Sequence, residues 1–404
     1  MIPSHGPRLL LVSNGHGEDL SGAHLGQALV RLGGHAVGFP LVGHGEAYKQ
    51  LGIPTQPVTT HSFPTHGMGY QSLGGVLQEL RNGQTIDGLR RSITAAQIAR
   101  HHDAVVAVGD VVPVVVAHLS RRTAFCYLMA YSSYYEGRLT LPWPCAQSLR
   151  SERFLHVFSR DRLTTADLST RLGRRVEFLG NPFLDAVGVS ATPLPSLSHP
   201  RVGLLPGSRL PEALNNLALM LAMLLQLPQH PDRGPLGLAA ALVKDIKLDH
   251  LAAVAAQQGW RLQRHRPRCP GAAALELVHG DLGVELYWGR FADVLHGSQL
   301  LVAMAGTATE LAVGLEKPIL QMPGTGPQFT PQFAEAQRRL LGPAVCCGAG
   351  PPGSVANARD TARLLMVLLR DGDVPTICLR TAHERIGRYG GSQAMAQTIL
   401  GSLN

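Results

Sequence analysis

The sequence predicts an α/β protein built from two doubly wound parallel sheets, and three observations carry that prediction. Short apolar runs alternate with helical patterns from the first residues onward, the mark of βαβ units. The alternation is interrupted once, by the proline- and serine-rich stretch SATPLPSLSHP, and then restarts. A chain of 404 residues also exceeds one ordinary core, so two domains of roughly 180 to 200 residues are expected.

In the first domain, 1–188, RLLLVSN reads as a strand and is followed by a helix from about Ser21 to Leu32. HAVGFPLV, DAVVAVGD, TAFCYLMA, FLHVFS and VEFLGN read as further parallel strands. Residues 189–200 form the linker. The second domain, 201–375, takes its strands from RVGLLPGS, PLGLAAAL, LELVH, QLLVAMAGT and KPILQMPG. The tail, 376–404, contains AHERIGRYGGSQAMAQTILGSL, a helical pattern expected to pack back on the first domain. No internal repeat or low-complexity block is visible.

With 45% hydrophobic and 16% charged residues, the chain can bury substantial cores and is not disordered by composition. Its net charge of +8 fits an anionic partner: a nucleotide, an acidic lipid surface or nucleic acid. A basic solvated surface gives the same charge. The six cysteines, Cys126, Cys145, Cys269, Cys346, Cys347 and Cys378, form no CxxC pair and no zinc spacing with histidine. They read as reduced, mostly buried thiols of a cytoplasmic protein. The apolar run at the N-terminus is too short for a signal peptide. The clean apolar runs, such as Leu217–Leu225, fall well below the roughly 20 residues that span a bilayer, so membrane contact is expected to be peripheral.

Four turns carry the chemistry. SNGHGEDLSGAHLG follows the first strand, where doubly wound folds bind ligands, but its glycines do not make GxGxxG, which disfavours a nicotinamide oxidoreductase. Asn14, Gly15, His16, Gly17, Glu18 and Ser21 instead offer polar side chains beside close-approaching backbone, which suits a hydroxylated substrate. Glu18 and Asp19 equally suit the first turn of a helix. Asp110 ends the strong strand DAVVAVG, placed either for base chemistry or as a helix N-cap. LLPGSR presents Gly207, Ser208 and Arg209 between strand and helix, where N–H groups and a guanidinium suit a diphosphate leaving group. LLVAMAGTATE repeats the device with Gly306, Thr307, Ala308 and Thr309, and Glu310 sits within reach of the two hydroxyls of a ribose. Each turn also reads as an ordinary strand-to-helix connection.

In this order, LLPGSR, FLGNPFLD and AGTATE, with KPIL followed by QMPG and PQF, resemble the lipid-A-disaccharide synthase family and its divergent relatives. These are inverting glycosyltransferases of the GT-B fold, two Rossmann-like domains facing across a cleft. The resemblance covers most of the chain, and its strongest part is LLPGSR and AGTATE about 100 residues apart. It implies a UDP-sugar donor, a UDP-linked N-acylated glucosamine, bound mainly by the second domain. It further implies a lipid-like acceptor, chemistry without metal or other cofactor, and a peripheral place at the cytoplasmic face of an anionic membrane, with no nucleic acid. Arg90, Arg91, Arg121, Arg122 and WRLQRHRPR, with the apolar stretch Met68–Leu80, are the expected membrane contacts. Asp110, His16 or Glu18 would take the acceptor proton, with Asp110 expected as the base. The chain departs from the family pattern at three places. Leu311 stands where the family has its ribose glutamate, one residue beyond Glu310. Val114 replaces a second aspartate, and NGHGEDLSG is longer than the family's first loop. A UDP-N-acetylglucosamine epimerase and a catalytically silent lipid or nucleotide binder are the competing readings.

Overall fold

A computed structural model of the chain describes residues 6–56, 84–137, 139–188, 192–228, 234–324, 331–370 and 376–403. They form two units, Met1–Ala186 with Arg385–Asn404, and Val187–Glu384. In the first, β1 (Arg8–Ser13), β2 (His35–Pro40), β3 (Ala104–Gly109), β4 (Thr123–Leu128) and β5 (Phe154–Ser159) make one parallel sheet in the order β2-β1-β3-β4-β5. Side chains alternate across it. Leu9 and Leu11 join Leu25, Ala28 and Leu29 of the helix His16–Arg31, whereas Leu10 and Val12 join Ala95 and Ala99 of Gln84–Ala99 and Val116 and Ala117 of Val111–Ser120. Helices therefore cover both faces, and for that reason β3 is apolar at every position.

Two expectations fail in this unit. The first helix begins at His16, five residues before Ser21, because Glu18 and Asp19 occupy its first turn, where the N-terminal dipole favours carboxylates. VEFLGN is no strand: only Glu177 bridges to Phe158, and Gly180 (φ +102°) then turns the chain into the 3-10 helix Pro182–Ala186. The GNPFLD residues hold the C-terminal segment in place. Asn181 accepts the Tyr127 hydroxyl at 2.8 Å. Both oxygens of Asp185 accept N–H groups at the start of the helix Gly391–Gly401, Gly390 at 2.7 Å and Ser392 at 2.8 Å. That helix buries Met395, Ala396, Ile399 and Leu400 against the first helix. The tail is two helices, Thr376–Ile386 and Gly391–Gly401, parted by Gly387 and Gly390 at φ +88° and +87°.

The second unit contains β6 (Arg201–Leu205), β7 (Gly237–Leu242), β8 (Arg261–Arg264), β9 (Leu275–His279), β10 (Leu282–Trp288), β11 (Leu300–Ala303), β12 (Ile319–Gln321) and β13 (Val345–Cys347), in the order β13-β12-β11-β6-β7-β10-β9-β8. The expected all-parallel sheet is mixed, since β9 runs antiparallel to both β10 and β8. Leu204, Val302, Met304 and Leu320 pack beneath Leu217, Leu221 and Leu224 of the helix Glu212–Leu224. The cysteines are less buried than expected: Cys126 and Cys145 are buried, Cys346 and Cys347 half-buried and Cys269 exposed.

Candidate functional site

In a doubly wound sheet, ligands bind at the carboxyl ends of the two strands where the strand order reverses. In the first sheet the chain passes from β1 to β2 on one side and returns to place β3 on the other, so the reversal lies between β1 and β3. In the second sheet it lies between β6 and β11, which flank each other while β7 continues the opposite way. The four turns singled out in the sequence sit at these two places.

At the first reversal, Asp110 caps the helix Val111–Ser120: its Oδ1 accepts the Val112 N–H at 2.9 Å. Its Oδ2 accepts Asn14 Nδ2, also at 2.9 Å, which ties the β1 turn to the β3 turn. Of the two meanings anticipated for Asp110, the helix N-cap is the one its geometry displays. Glu18 lies against Gly15 and Gly109. A Cβ on Gly109, itself at φ +128°, would stand 2.7 Å from the Glu18 Cγ, so only glycine leaves room for this carboxylate. Burial raises the pKa of Glu18, its own backbone N–H opposes the rise, and the charge of Asp110 adds to it. Burial also raises Asp110, against the lowering effect of Val112 and Asn14. Behind them Asp19, pushed up to about 7 by burial, accepts the Ser13 hydroxyl at 2.6 Å, and Ser13 in turn meets the Tyr48 hydroxyl at 2.9 Å.

His16 opens the first helix, and its side chain lies outside the described residues. Gly17 backs onto Met129. Ser21, expected at the acceptor, is fully buried and donates its hydroxyl to the Met129 sulfur at 3.2 Å, so it presents nothing to a ligand. The early helix start explains this, since residues 16–21 form a helical turn and a half rather than an open loop.

At the second reversal, Gly207 (φ +108°) turns the chain after β6 and leaves Ser208 and Arg209 exposed. The helix starts only at Glu212, so these residues precede it instead of forming its first turn. Three buried side chains take the carbonyls of both turns. Asn216 Nδ2 donates to the Pro206 carbonyl at 2.9 Å and to the Met304 carbonyl at 3.3 Å. Thr309 Oγ1 donates to Ala305, and Gln337 Nε2 to Gly306 at 3.1 Å, while Gln337 is itself held by Gln321 at 2.9 Å. In a trans peptide the C=O and the next N–H point in opposite directions. Each carbonyl drawn inward therefore turns an N–H outward: those of Gly207, Ala305, Gly306 and Thr307. Among the described residues none of these four N–H groups has a backbone partner outside the helix and strand ladders. Together with Arg209 they form an array suited to an anion.

Thr309 thus serves the turn, not a ligand: its side chain is fully buried. Ala308 and Glu310 are half-buried in the first turn of Thr307–Gly314, and Leu311 is buried. Glu316 lies beyond that helix and pairs with His383. Sequence reasoning missed Asn216, Gln321 and Gln337. The available signal was an amide on the buried face of a largely apolar helical run, LNNLALM for Asn216.

No family model and no curated protein matches the sequence. Solved structures do match. The UDP-GlcNAc 2-epimerase of Neisseria meningitidis, bound to UDP-GlcNAc, is 14% identical, with 98% of this chain and 100% of that chain covered and a TM-score of 0.52. The calicheamicin glycosyltransferase CalG4 is 15% identical, with 98% of each chain covered and a TM-score of 0.60. The glycosyltransferase of kitacinnamycin is 14% identical, with 99% and 100% covered and a TM-score of 0.60. The chain has the GT-B fold. At these identities the likeness is one of fold, and the chemistry rests on the residues at the two reversals.

Proposed function

We propose that the chain is an inverting glycosyltransferase that moves a sugar, an N-acylated glucosamine in the finer reading, from a UDP-sugar to a lipid-like acceptor. The observation that carries this reading is the outward N–H array at the β6/β11 reversal, with Arg209 exposed beside it. Similar folds have been solved with UDP-GlcNAc or UDP bound, which supports a uridine diphosphate as the anion. The acceptor hydroxyl gives its proton to Asp110 or Glu18, its oxygen bonds to the anomeric carbon from the face opposite the diphosphate, and UDP departs with the bonding pair. Arg209 and the N–H groups take up the charge of the departing diphosphate, so this reading needs no metal ion and no other cofactor.

The lipid-like acceptor follows from the sequence resemblance. It is supported by exposed Arg90, Arg121, Arg261, Arg264, Arg266 and Arg268, which suit an anionic membrane surface on the cytoplasmic side. Arg91 leaves that set, being buried with Nη1 on the Leu41 carbonyl at 3.0 Å, and Trp260 belongs to the core. Met68–Leu80 lies outside the described residues. Among the described residues no helix is long and apolar enough to cross a membrane. Release of UDP from UDP-N-acylglucosamine upon addition of glycolipid acceptors, insensitive to EDTA, is the expected result. A second reading, an epimerase, is favoured by the fold match to such an enzyme. Conversion of the UDP-sugar with no acceptor present would select it, and absence of both reactions would leave a silent binding protein.

A further inference from the structure

The β6/β11 ladder ends at the pair Leu205 and Ala303, with the Met304 N–H still donating to the Leu205 carbonyl at 2.9 Å. One residue further on, both segments turn away to open the two candidate phosphate loops. The carbonyls at that point, Pro206 and Met304, come from segments 98 residues apart and meet on a single amide, Asn216 Nδ2. Asn216 lies in the buried part of the helix Glu212–Leu224, only 7% exposed. Among the described residues neither carbonyl accepts a backbone N–H outside the helix and strand ladders, and an unsatisfied buried carbonyl is costly.

We infer that Asn216 is a positioning residue that adds a side-chain rung to the ladder and thereby fixes the spacing and orientation of the two anion-binding turns. Its two N–H groups are matched to two carbonyls, and by peptide planarity the rung aims the Gly207 and Ala305 N–H groups away from the core. Asn216 touches no ligand itself. A hydrophobic residue of similar size would keep the helix packed but free both carbonyls to rotate, carrying the N–H groups with them. The inference rests on the donor reading above.

The test is calorimetric titration of UDP into the full chain carrying Asn216→Asp, Asn216→Ala or Asn216→Ser, with Arg209→Ala for reference. Leu221→Ala serves as control, because it removes a fully buried side chain of the same helix without touching the rung. All are measured well below their unfolding midpoints. The expected result is a loss of tenfold or more in UDP affinity for Asn216→Asp at neutral pH, a comparable loss for Asn216→Ala, partial retention for Asn216→Ser, and near-native affinity for Leu221→Ala. Affinity of Asn216→Asp should recover relative to Asn216→Ala as pH falls, because a protonated carboxyl regains one O–H donor. Asn216 variants that bind UDP like the unmodified chain, while Arg209→Ala does not, overturn the inference alone. If Arg209→Ala also binds normally, the donor reading falls and this inference with it. Equal losses in Leu221→Ala and Asn216→Ala would reduce Asn216 to a packing residue.

Discussion

The two reversals occupy equivalent places in the two sheets and carry opposite chemistry. At β1/β3 the turns gather three carboxylates, Glu18, Asp19 and Asp110, all with pKa values raised by burial. At β6/β11 the turns gather outward N–H groups and an exposed guanidinium, and the acceptor atoms are drawn into the core by neutral amides. An asparagine bridges each reversal. Asn14 spends its amide on the Asp110 carboxylate, whereas Asn216 spends its amide on two carbonyls. The topology supplies the place for a site; the residues of the turn decide whether it presents carboxylates or N–H groups.

The sharpest way to break this comparison is to remove the carboxylates. Asp110→Asn or Glu18→Gln, whichever is the base, should lower turnover on the order of 10²-fold or more while UDP affinity stays nearly unchanged. Asp110 has both oxygens engaged by Val112 and Asn14, whereas the Glu18 carboxylate accepts its own backbone N–H, so the pair must be tested together. Because both groups have raised pKa values, the acid limb of kcat/KM should lie above the usual carboxylate range, with activity rising as pH rises through it. Loss of that limb in one variant identifies the base; UDP affinity falling in parallel with turnover would merge the two sites into one.

The next effect belongs to the other reversal. Arg209→Ala should weaken UDP binding by roughly 1.5 to 3 kcal/mol, the range for a hydrogen bond to a charged group, without lowering the unfolding midpoint, since the side chain is exposed. Unchanged affinity by calorimetry would remove Arg209 from the site and weaken the contrast in charge between the reversals.

A third test concerns stability. Asp19 is pushed up to about 7 in the folded chain, above its ordinary value of 3.8, so the folded state holds the proton more tightly than the unfolded state. The associated stability is fully present below the ordinary value and is lost as pH rises through about 7. Asp19→Asn keeps an acceptor for Ser13 and removes the titration, so it should flatten this slope and stabilise the chain by on the order of 1 to 3 kcal/mol at pH 8. Denaturant midpoints from pH 5 to pH 8 that slope equally in both proteins would show that Asp19 does not titrate in this window.

Much of this arrangement was legible in the sequence, and the failures have physical causes. β1, β3, β6 and β11 stand out as unbroken apolar runs because both of their faces are buried, and the turn residues that follow them were visible for the same reason. β8 is hard to see because RLQR is a charged edge strand with a single apolar residue, Leu262, turned to the core. VEFLGN was overread because Val176 and Phe178 look like a buried strand, while Gly180 and Pro182 end the extended stretch after one bridge. By residue type Ser21 and Thr309 suit a ligand, and only their packing shows that their hydroxyls serve Met129 and Ala305. Asn216 escaped notice because a buried amide acquires meaning from the two carbonyls it faces, which lie on different strands.

The smallest expected effect tests the register of the second reversal. The helix Thr307–Gly314 holds one carboxylate, Glu310, and the next position, Leu311, is 5% exposed and packed away from solvent. Glu316, the nearest carboxylate further along, sits past the helix end and is engaged with His383. If the ribose of the donor is held at this helix, Glu310 is the group that can accept its hydroxyls. Glu310→Gln keeps the size of the side chain and one acceptor oxygen, so the loss should be only about 1 kcal/mol in UDP affinity. The sharper readout is discrimination: the native chain should prefer UDP over its 2′-deoxy analogue, and Glu310→Gln should bind the two more nearly alike, because the preference arises from the carboxylate accepting both hydroxyls. A preference left intact in Glu310→Gln and lost in Glu316→Gln would move the ribose to the far end of the helix and shift the register of the site by more than a turn.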